Sequence, residues 1–199
     1  MEPEIAPVDT KMSSEADVSL PQTSTPWLLT VALYHRDHYS TGHYRQLFKY
    51  EAFHWGLLIT PQVSIGKDCF AADATDRSGY NPVTMRMDNP TMSWWINHRV
   101  VDPAASSKLL GRIVIGEIPG EISFDDFQEL LDKVPLPEKN QHPQQSCVTW
   151  AVSAIVEMQK LGWARQFDID QFKDAALAYA DDRNKFDAAT EPKVKYYKV

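Results

Sequence analysis

Apolar residues gather in four segments that have the composition of β-strands. Two of them, residues 27–34 (WLLTVALY) and 53–60 (FHWGLLIT), are dense in apolar and β-branched residues. Residues 65–75 (IGKDCFAADAT) follow after a short turn and are predicted to pair with the strand before them. Residues 110–118 (LGRIVIGEI) show the clearest alternation of apolar and polar positions, which predicts a further strand.

The later part of the chain has the period of helices. Ser123 predicts an N-cap, with Asp126 as its capping-box partner three residues later. The strongest helical pattern begins after Ser146, another N-cap residue, and Gly162 is placed to end it. A last helix is predicted over residues 170–179. Because the strands precede the helices, we expect an α+β fold in which an antiparallel sheet packs against helices.

The connecting segments are polar or rich in Gly and Pro, which is typical of loops. Residues 35–44 are polar and contain Gly42, so they are predicted to form a loop or the end of a hairpin. Residues 76–92 contain two prolines and are predicted as loop with some edge structure.

Length and composition indicate one domain with a tail at each end. The chain has 199 residues, of which 43% are apolar, and a chain of this length can bury roughly two-thirds of its unfolded surface. Residues 1–25 combine Pro, Ser and Thr with five acidic residues and one Lys, which predicts a disordered acidic tail. We expect a single domain over residues 26–182 and a C-terminal tail over residues 183–199.

Charge and hydropathy narrow the range of partners and compartments. A net charge of −7 argues against nucleic acid as the main partner, because phosphate binding depends on clustered Lys and Arg. No apolar run approaches the ~18 residues of a membrane span, and the acidic start of the chain does not resemble a signal peptide. Two cysteines cannot build a disulfide scaffold, so we expect a cytoplasmic protein. The oligomeric state is not indicated.

Cys147 and His54 stand out as candidate catalytic residues. Cys147 follows the N-cap Ser146, where free backbone N–H groups and the helix dipole favour the thiolate. A nucleophilic Cys needs a base, which His54 on the second strand could supply. Asp73 on the next strand is the candidate to orient the imidazole, with Asp76 as the alternative. Read singly, such a Cys is commonly a small buried hydrophobe, and such a His a half-buried polar residue.

Other side chains suggest a binding pocket or a metal site. Aromatic residues could line an apolar pocket for an acyl or aromatic substrate, although they also suit a core; they are Trp55, Tyr80, Trp94, Trp95 and Trp150. His35, Asp37 and His38, with His43 nearby, are metal-ligand types in a polar segment. The sequence has no glycine-rich phosphate loop, no GxSxG and no HExxH, so we expect no cofactor.

The segments FHWGLLI, GRIVIGEI and SCVTWAVSAI resemble those of a group of small uncharacterised fungal proteins. Their order also resembles the circularly permuted papain-like proteins, the NlpC/P60 superfamily in its lecithin:retinol acyltransferase-like and PPPDE-like arrangement. This resemblance covers residues 27–165 and implies a papain-like topology in permuted order, with His54 as base and Cys147 as nucleophile. It differs at Ser146, where the pattern usually has Asn, and at the third catalytic position, which is often a second His.

Together these observations predict a cysteine-dependent acyl-transfer enzyme that forms a thioester on Cys147. It would be a hydrolase or an acyl or aminoacyl transferase acting on an ester, thioester or amide, with a small acyl or peptide-like substrate, as in small-metabolite biosynthesis. Backbone N–H groups of Cys147 and its neighbour could hold the oxyanion. Two alternatives remain: a papain-like binding module without activity, and a metal-dependent enzyme using His35, Asp37 and His38.

Overall fold

A mixed six-stranded sheet forms the centre of the protein. The computed structural model describes residues 25–198, so the tail predicted over residues 1–25 lies outside the described residues except for Thr25. The strands of the central sheet are β1 Trp27–His35, β2 Phe53–Thr60, β3 Cys69–Thr75, β6 Trp95–Val101, β7 Leu109–Ile118 and β8 Val194–Tyr196. A separate two-stranded hairpin consists of β4 Gly79–Asn81 and β5 Arg86–Asp88.

The strand order is β6-β3-β2-β1-β7-β8. All neighbours are antiparallel except β7 and β8, which are parallel, so the predicted antiparallel sheet is corrected to a mixed, mostly antiparallel one. β1 lies between β2 and β7 and pairs with both along its whole length, which explains its apolar sequence: both of its edges and both of its faces are covered.

Two strands of the central sheet, β6 and β8, were not predicted from the sequence pattern. β6 forms one edge of the sheet and is only partly buried, so its residues WINHRVV lack a continuous apolar run. The segment after residue 183 was predicted to be a C-terminal tail. It instead returns to the sheet and forms β8, a strand of three residues. The Tyr179 hydroxyl secures this return by donating to the backbone carbonyls of Pro192 and Lys193 (2.8 and 3.0 Å).

The described residues contain four α-helices: α1 Gly42–Phe48, α2 Phe124–Leu131, α3 Cys147–Lys160 and α4 Ile169–Arg183. The predicted caps of α2 and α3 are confirmed: Ser123 and Asp126 form a capping box, and Ser146 caps α3. The loop predicted over residues 35–44 instead holds a short 3-10 helix, Asp37–Ser40, and the start of α1. α1 has no buried side chain and therefore no apolar stripe that would indicate a helix. None of the described helices is long and apolar enough to cross a membrane.

Helices α2, α3 and α4 pack on one face of the sheet, and the main core lies between these helices and that face. α3 packs against β2 and β3, so its first turn lies beside the strands that carry the predicted base and orienting residue. A smaller buried cluster occupies the other face and consists of Ala32, Leu58, Cys69 and Ala71. Trp55 and Trp150 are fully buried in the main core, so neither has surface to offer a ligand.

Candidate active site

Three residues from different elements meet at the start of α3. Cys147 is its first residue, His54 is the second residue of β2, and Asp73 lies near the end of β3. His54 Nε2 and Asp73 Oδ2 are 2.9 Å apart, and the imidazole lies close enough to the Cys147 thiol for each group to shift the pKa of the other. The structure therefore brings together the predicted nucleophile, base and orienting carboxylate.

The absence of a side chain at Gly56 leaves room for Asp73 beside His54. Residues 54 and 56 of β2 share a face, and a Cβ added at Gly56 would lie 3.1 Å from Asp73 Cβ and 3.0 Å from the Ala72 carbonyl oxygen. The missing side chain lets β3 bring Asp73 close to β2, within reach of the imidazole two residues earlier. Cys69 lies on the same face of β3, but it is buried away from this group.

Arg99 completes the group and was not predicted from the sequence. Its guanidinium pairs with Asp73 Oδ1, while Asp73 Oδ2 faces His54, so both carboxylate oxygens are engaged. Asp73 has a side chain only 4% exposed, and burying a carboxylate is costly unless it is paired. Arg99 comes from β6, the strand without an apolar pattern, so no sequence signal placed it near Asp73.

Cys147 is a buried thiol in surroundings that favour its thiolate. Burial alone would raise the pKa of Cys147, but the positive charge and hydrogen bond of His54 and the backbone N–H of Trp55 outweigh it, so the pKa is lowered. Only 3% of the residue is exposed. A lowered pKa is what a nucleophilic cysteine needs, because the thiolate is the reactive form.

The same pairing acts on His54 in the opposite direction. Burial alone would lower the pKa of His54, but the charge of Cys147 and the hydrogen bonds to Asp73 and Cys147 raise it to about 10. The imidazole is therefore protonated near neutral pH, and its positive charge favours the ionised form of the thiol, as in a thiolate–imidazolium pair.

Replacing Asp73 with Asn tests this arrangement. The change removes a negative charge and leaves at most a weaker, neutral hydrogen bond to the imidazolium, and both the charge and the charged hydrogen bond raise the pKa of His54. We expect that pKa to fall by at least about 1, the low end of the effect of one close opposite charge. An NMR titration of the imidazole protons measures it. Asp132→Asn is the matched control, because it breaks the separate His98–Asp132 pair (2.7 Å). An unchanged His54 titration in Asp73→Asn would contradict the assigned role.

The backbone donors at the start of α3 differ from the prediction. The Val148 N–H donates to Ser146 Oγ (3.2 Å), and the Ser146 N–H donates to Thr149 Oγ1 (3.1 Å). Neither neighbour of Cys147 therefore has a free N–H for an oxyanion. Among the described residues the Cys147 N–H has no acceptor, which leaves it as the backbone donor of this turn.

The three residues open onto a broad cleft of about 1490 Å³. Tyr80, Trp94 and Trp95 line it as predicted, whereas Trp55 and Trp150 do not, because both are enclosed in the core. Aromatic and aliphatic side chains from other elements add to the apolar wall: Tyr34, Tyr39, Leu47 and Phe48. The cleft thus combines the candidate nucleophile Cys147 with an extended apolar lining.

The predicted metal ligands do not assemble. The His35 ring accepts a hydrogen bond from the Asp37 backbone N–H, the Asp37 carboxylate pairs with Lys108, and the His38 ring packs on Tyr39. Within residues 25–198 no three His, Cys, Asp or Glu side chains are grouped so that they could hold a metal ion. The arrangement of His35, Asp37 and His38 therefore gives no support to the metal-dependent alternative. Asp76 also lines the cleft, but Asp73 is the carboxylate that reaches His54.

Comparison with known proteins places the chain in a family without assigning an activity. No curated protein and no solved structure matches it. One family profile matches residues 28–196, which spans the sheet from β1 to β8 together with Cys147, His54 and Asp73. The chain therefore belongs to DUF6914, a family of unknown function.

Proposed function

We propose that the protein is a cysteine-dependent acyl-transfer enzyme, with Cys147 as nucleophile, His54 as general acid and base, and Asp73 as the orienting group. The observation that carries the proposal is the convergence of these three side chains at the floor of an open cleft, with the pKa of Cys147 lowered and that of His54 raised. Perturbed titrations combined with this geometry are typical of catalytic sites.

The chemistry follows from the thiolate–imidazolium pair. The Cys147 thiolate attacks a carbonyl carbon, and the oxyanion that develops faces the N–H of Cys147 at the start of α3. The His54 imidazolium then gives its proton to the leaving alcohol, thiol or amine, and a thioester remains on Cys147. The neutral imidazole takes a proton from the second nucleophile as it attacks, which releases the product and restores the ion pair. Asp73, held by Arg99, keeps the imidazole oriented throughout.

The lining of the cleft favours substrates with an apolar or aromatic acyl group. Aromatic rings come from both the hairpin side, through Tyr80, and the β6 side, through Trp94 and Trp95. Rings of this kind bind apolar groups by burying area and by offset stacking. A small acyl or peptide-like substrate is consistent with this lining.

We further propose that the fold is papain-like in circularly permuted order. What supports this is the order along the chain: the strand that carries His54 comes first, and the helix that begins with Cys147 comes late. The His strand lies inside an antiparallel sheet, and the Cys helix packs across it.

The proposal is tested by looking for the thioester itself. Native protein is mixed with p-nitrophenyl phenylacetate, and we expect a burst of about one p-nitrophenolate per protein molecule and a phenylacetyl adduct on the peptide that contains Cys147. Cys147→Ala should lose both signals, whereas Cys69→Ala, which changes the other buried thiol, should keep them. If Cys147 is acylated only after denaturation, the protein is a binding module and the enzymatic proposal is wrong.

A further inference from the structure

Several charged side chains of the cleft form no ion pair among the described residues, and two of them, Arg36 and Glu51, lie near the segment that carries Cys147. The guanidinium of Arg99 and the ammonium of Lys108 both line the cleft and pair with carboxylates. Arg36 and Glu51 line it as well, and among the described residues neither forms an ion pair with any partner. Charges left without a counter-charge in a cleft beside a nucleophile are available to a charged ligand.

Arg36 lies next to the reaction centre and is held in place. Its guanidinium donates to the backbone carbonyl of Glu51 and lies 5.0 Å from the centre of the Tyr39 ring. Burial raises the pKa of Cys147, and His54 lowers it. The positive charge of Arg36 also lowers the pKa of Cys147, so Arg36 is within electrostatic range of the sulfur. A guanidinium has five N–H donors, and those that remain suit a carboxylate in bidentate geometry.

Glu51 lies on the same side of the nucleophile. The hydroxyl of Ser146, the residue before Cys147, donates to Glu51 Oε1 over 3.4 Å, and no described residue donates to Oε2. Glu51 is half-buried, so a cation that reaches its carboxylate is screened less by water than at an exposed site. A carboxylate with free acceptor positions suits an ammonium group.

Three other unpaired charges in the cleft form no such contacts. Asp76, Arg77 and Asp88 also line it, but in the described part of the chain no hydrogen bond joins the side chain of any of them to the segment around Cys147. Arg77 is moreover exposed to solvent.

We propose that Arg36 and Glu51 form the acceptor subsite of the enzyme and bind a free α-amino acid, whose amine resolves the thioester on Cys147. Arg36 binds the carboxylate of the amino acid, and Glu51 binds its ammonium group. This inference rests on the proposed function and deepens it, because it makes the enzyme an N-acyl transferase whose product is an N-acyl amino acid.

The protons and bonds balance without a further reactant. Glu51 accepts one proton from the ammonium group, which frees the nitrogen lone pair to attack the thioester carbonyl. The C–N bond forms, the C–S bond breaks, and the Cys147 thiolate leaves. The neutral imidazole of His54 takes the second proton from the nitrogen, which restores the thiolate–imidazolium pair. The proton on Glu51 passes to water when the product leaves.

The test follows the fate of the acyl-enzyme. Protein is acylated with p-nitrophenyl phenylacetate, L-phenylalanine or phenethylamine is added, and the ratio of amide to phenylacetic acid is measured by mass spectrometry per acyl-enzyme formed. Phenethylamine keeps the ring and the amine but lacks the carboxylate. In the unaltered protein we expect the ratio to be about tenfold higher with L-phenylalanine, the size of one charge-assisted interaction.

Two variants assign that preference to the two side chains. Arg36→Met should reduce the preference for L-phenylalanine over phenethylamine to less than about twofold, because it removes the partner of the carboxylate. Glu51→Gln should lower the amide ratio with both amines. Glu121→Gln, at an exposed position outside the cleft, is the matched control and should behave as the unaltered protein.

The outcomes separate this inference from the proposed function. If Cys147 is acylated but water resolves the thioester equally fast with and without L-phenylalanine, the enzyme is a hydrolase and the acceptor subsite is wrong while the thioester mechanism stands. If both amines give equal ratios, the role of Arg36 is wrong. If no adduct forms on native Cys147, both proposals fail. The acceptor series uses the unaltered protein, so it decides the question even if a variant does not fold.

Discussion

His54→Ala is expected to slow alkylation of Cys147 by iodoacetamide at pH ~6 by about 10-fold. Without the imidazolium, burial is left as the dominant influence and raises the pKa of Cys147 above the ordinary value of about 8.5. Loss of one close opposite charge changes a pKa by about 1 to 3, so the thiolate fraction below the thiol pKa falls by about 10- to 1000-fold. The greater nucleophilicity of a more basic thiolate offsets part of this loss. The limited exposure of Cys147 slows both proteins alike, so the ratio of rates reports the thiolate fraction.

The shape of the pH profile is a stronger signature than the ratio at one pH. In the unaltered protein the thiolate is present at every pH above the lowered pKa of Cys147, so the alkylation rate should be nearly flat from there towards the pKa of His54, about 10. In His54→Ala the rate should rise with pH, about tenfold for each pH unit, until the raised thiol pKa is reached. Mass spectrometry of the Cys147 peptide measures both profiles.

Two internal comparisons keep this experiment specific. His98→Ala removes a histidine that also pairs with a carboxylate but lies outside the cleft, and it should leave the Cys147 profile unchanged. Cys69, whose pKa burial raises to about 11, should remain unlabelled in native protein near neutral pH. Equal profiles for the unaltered protein and His54→Ala would show that no ion pair forms.

Gly116→Ala is expected to destabilise the protein by about 3 kcal/mol or more, a drop in Tm of about 10 °C for a domain of this size. A Cβ at Gly116 would lie 1.9 Å from the Trp163 carbonyl oxygen and 2.8 Å from Ala164 Cα. These are backbone atoms that cannot rotate away. They are also fixed, because the Trp163 carbonyl accepts the Glu117 N–H (2.9 Å) and the next segment bridges to β7 at Ala164.

Thermal and urea unfolding measure this loss, and Gly79→Ala is the matched control. Nothing lies within 4 Å of a Cβ added at Gly79, and its backbone is not in the left-handed region, so its stability should change by less than about 0.5 kcal/mol. If Gly116→Ala unfolds together with the control, the segment after α3 does not lie against β7 as described.

Local patterns were enough to predict most elements and three of the four residues of the candidate site, Cys147, His54 and Asp73 but not Arg99. β2 has the predicted bounds, because its apolar run is bounded by a proline. Ser146 was predicted to cap α3 from its own side-chain chemistry, which fixes Cys147 as the first helical residue. These predictions depend only on neighbours within a few residues. Capping hydrogen bonds and apolar runs are set at that range, so the sequence indicates them directly.

Features that depend on distant segments were predicted poorly. β6 and β8 lie at the edges of the sheet and carry few buried side chains, so neither has a distinctive sequence period. α1 has no apolar stripe because none of its side chains is buried. Trp55 and Trp150 were predicted to line the pocket but lie in the core. The sequence does not distinguish the two places, because an aromatic side chain packs equally well in a core and in a cleft.

The sequence by itself determined the candidate nucleophile and its local setting. A Cys after a capping serine and a His in an apolar strand are properties of single elements, set by backbone hydrogen bonding and side-chain period. Only the tertiary structure decided that Cys147 and His54 meet across 93 positions, that β3 brings Asp73 to the imidazole, and that β6 adds Arg99. The physical reason is that strand register and helix packing depend on how much apolar surface the whole domain buries. A short segment of sequence does not specify that total.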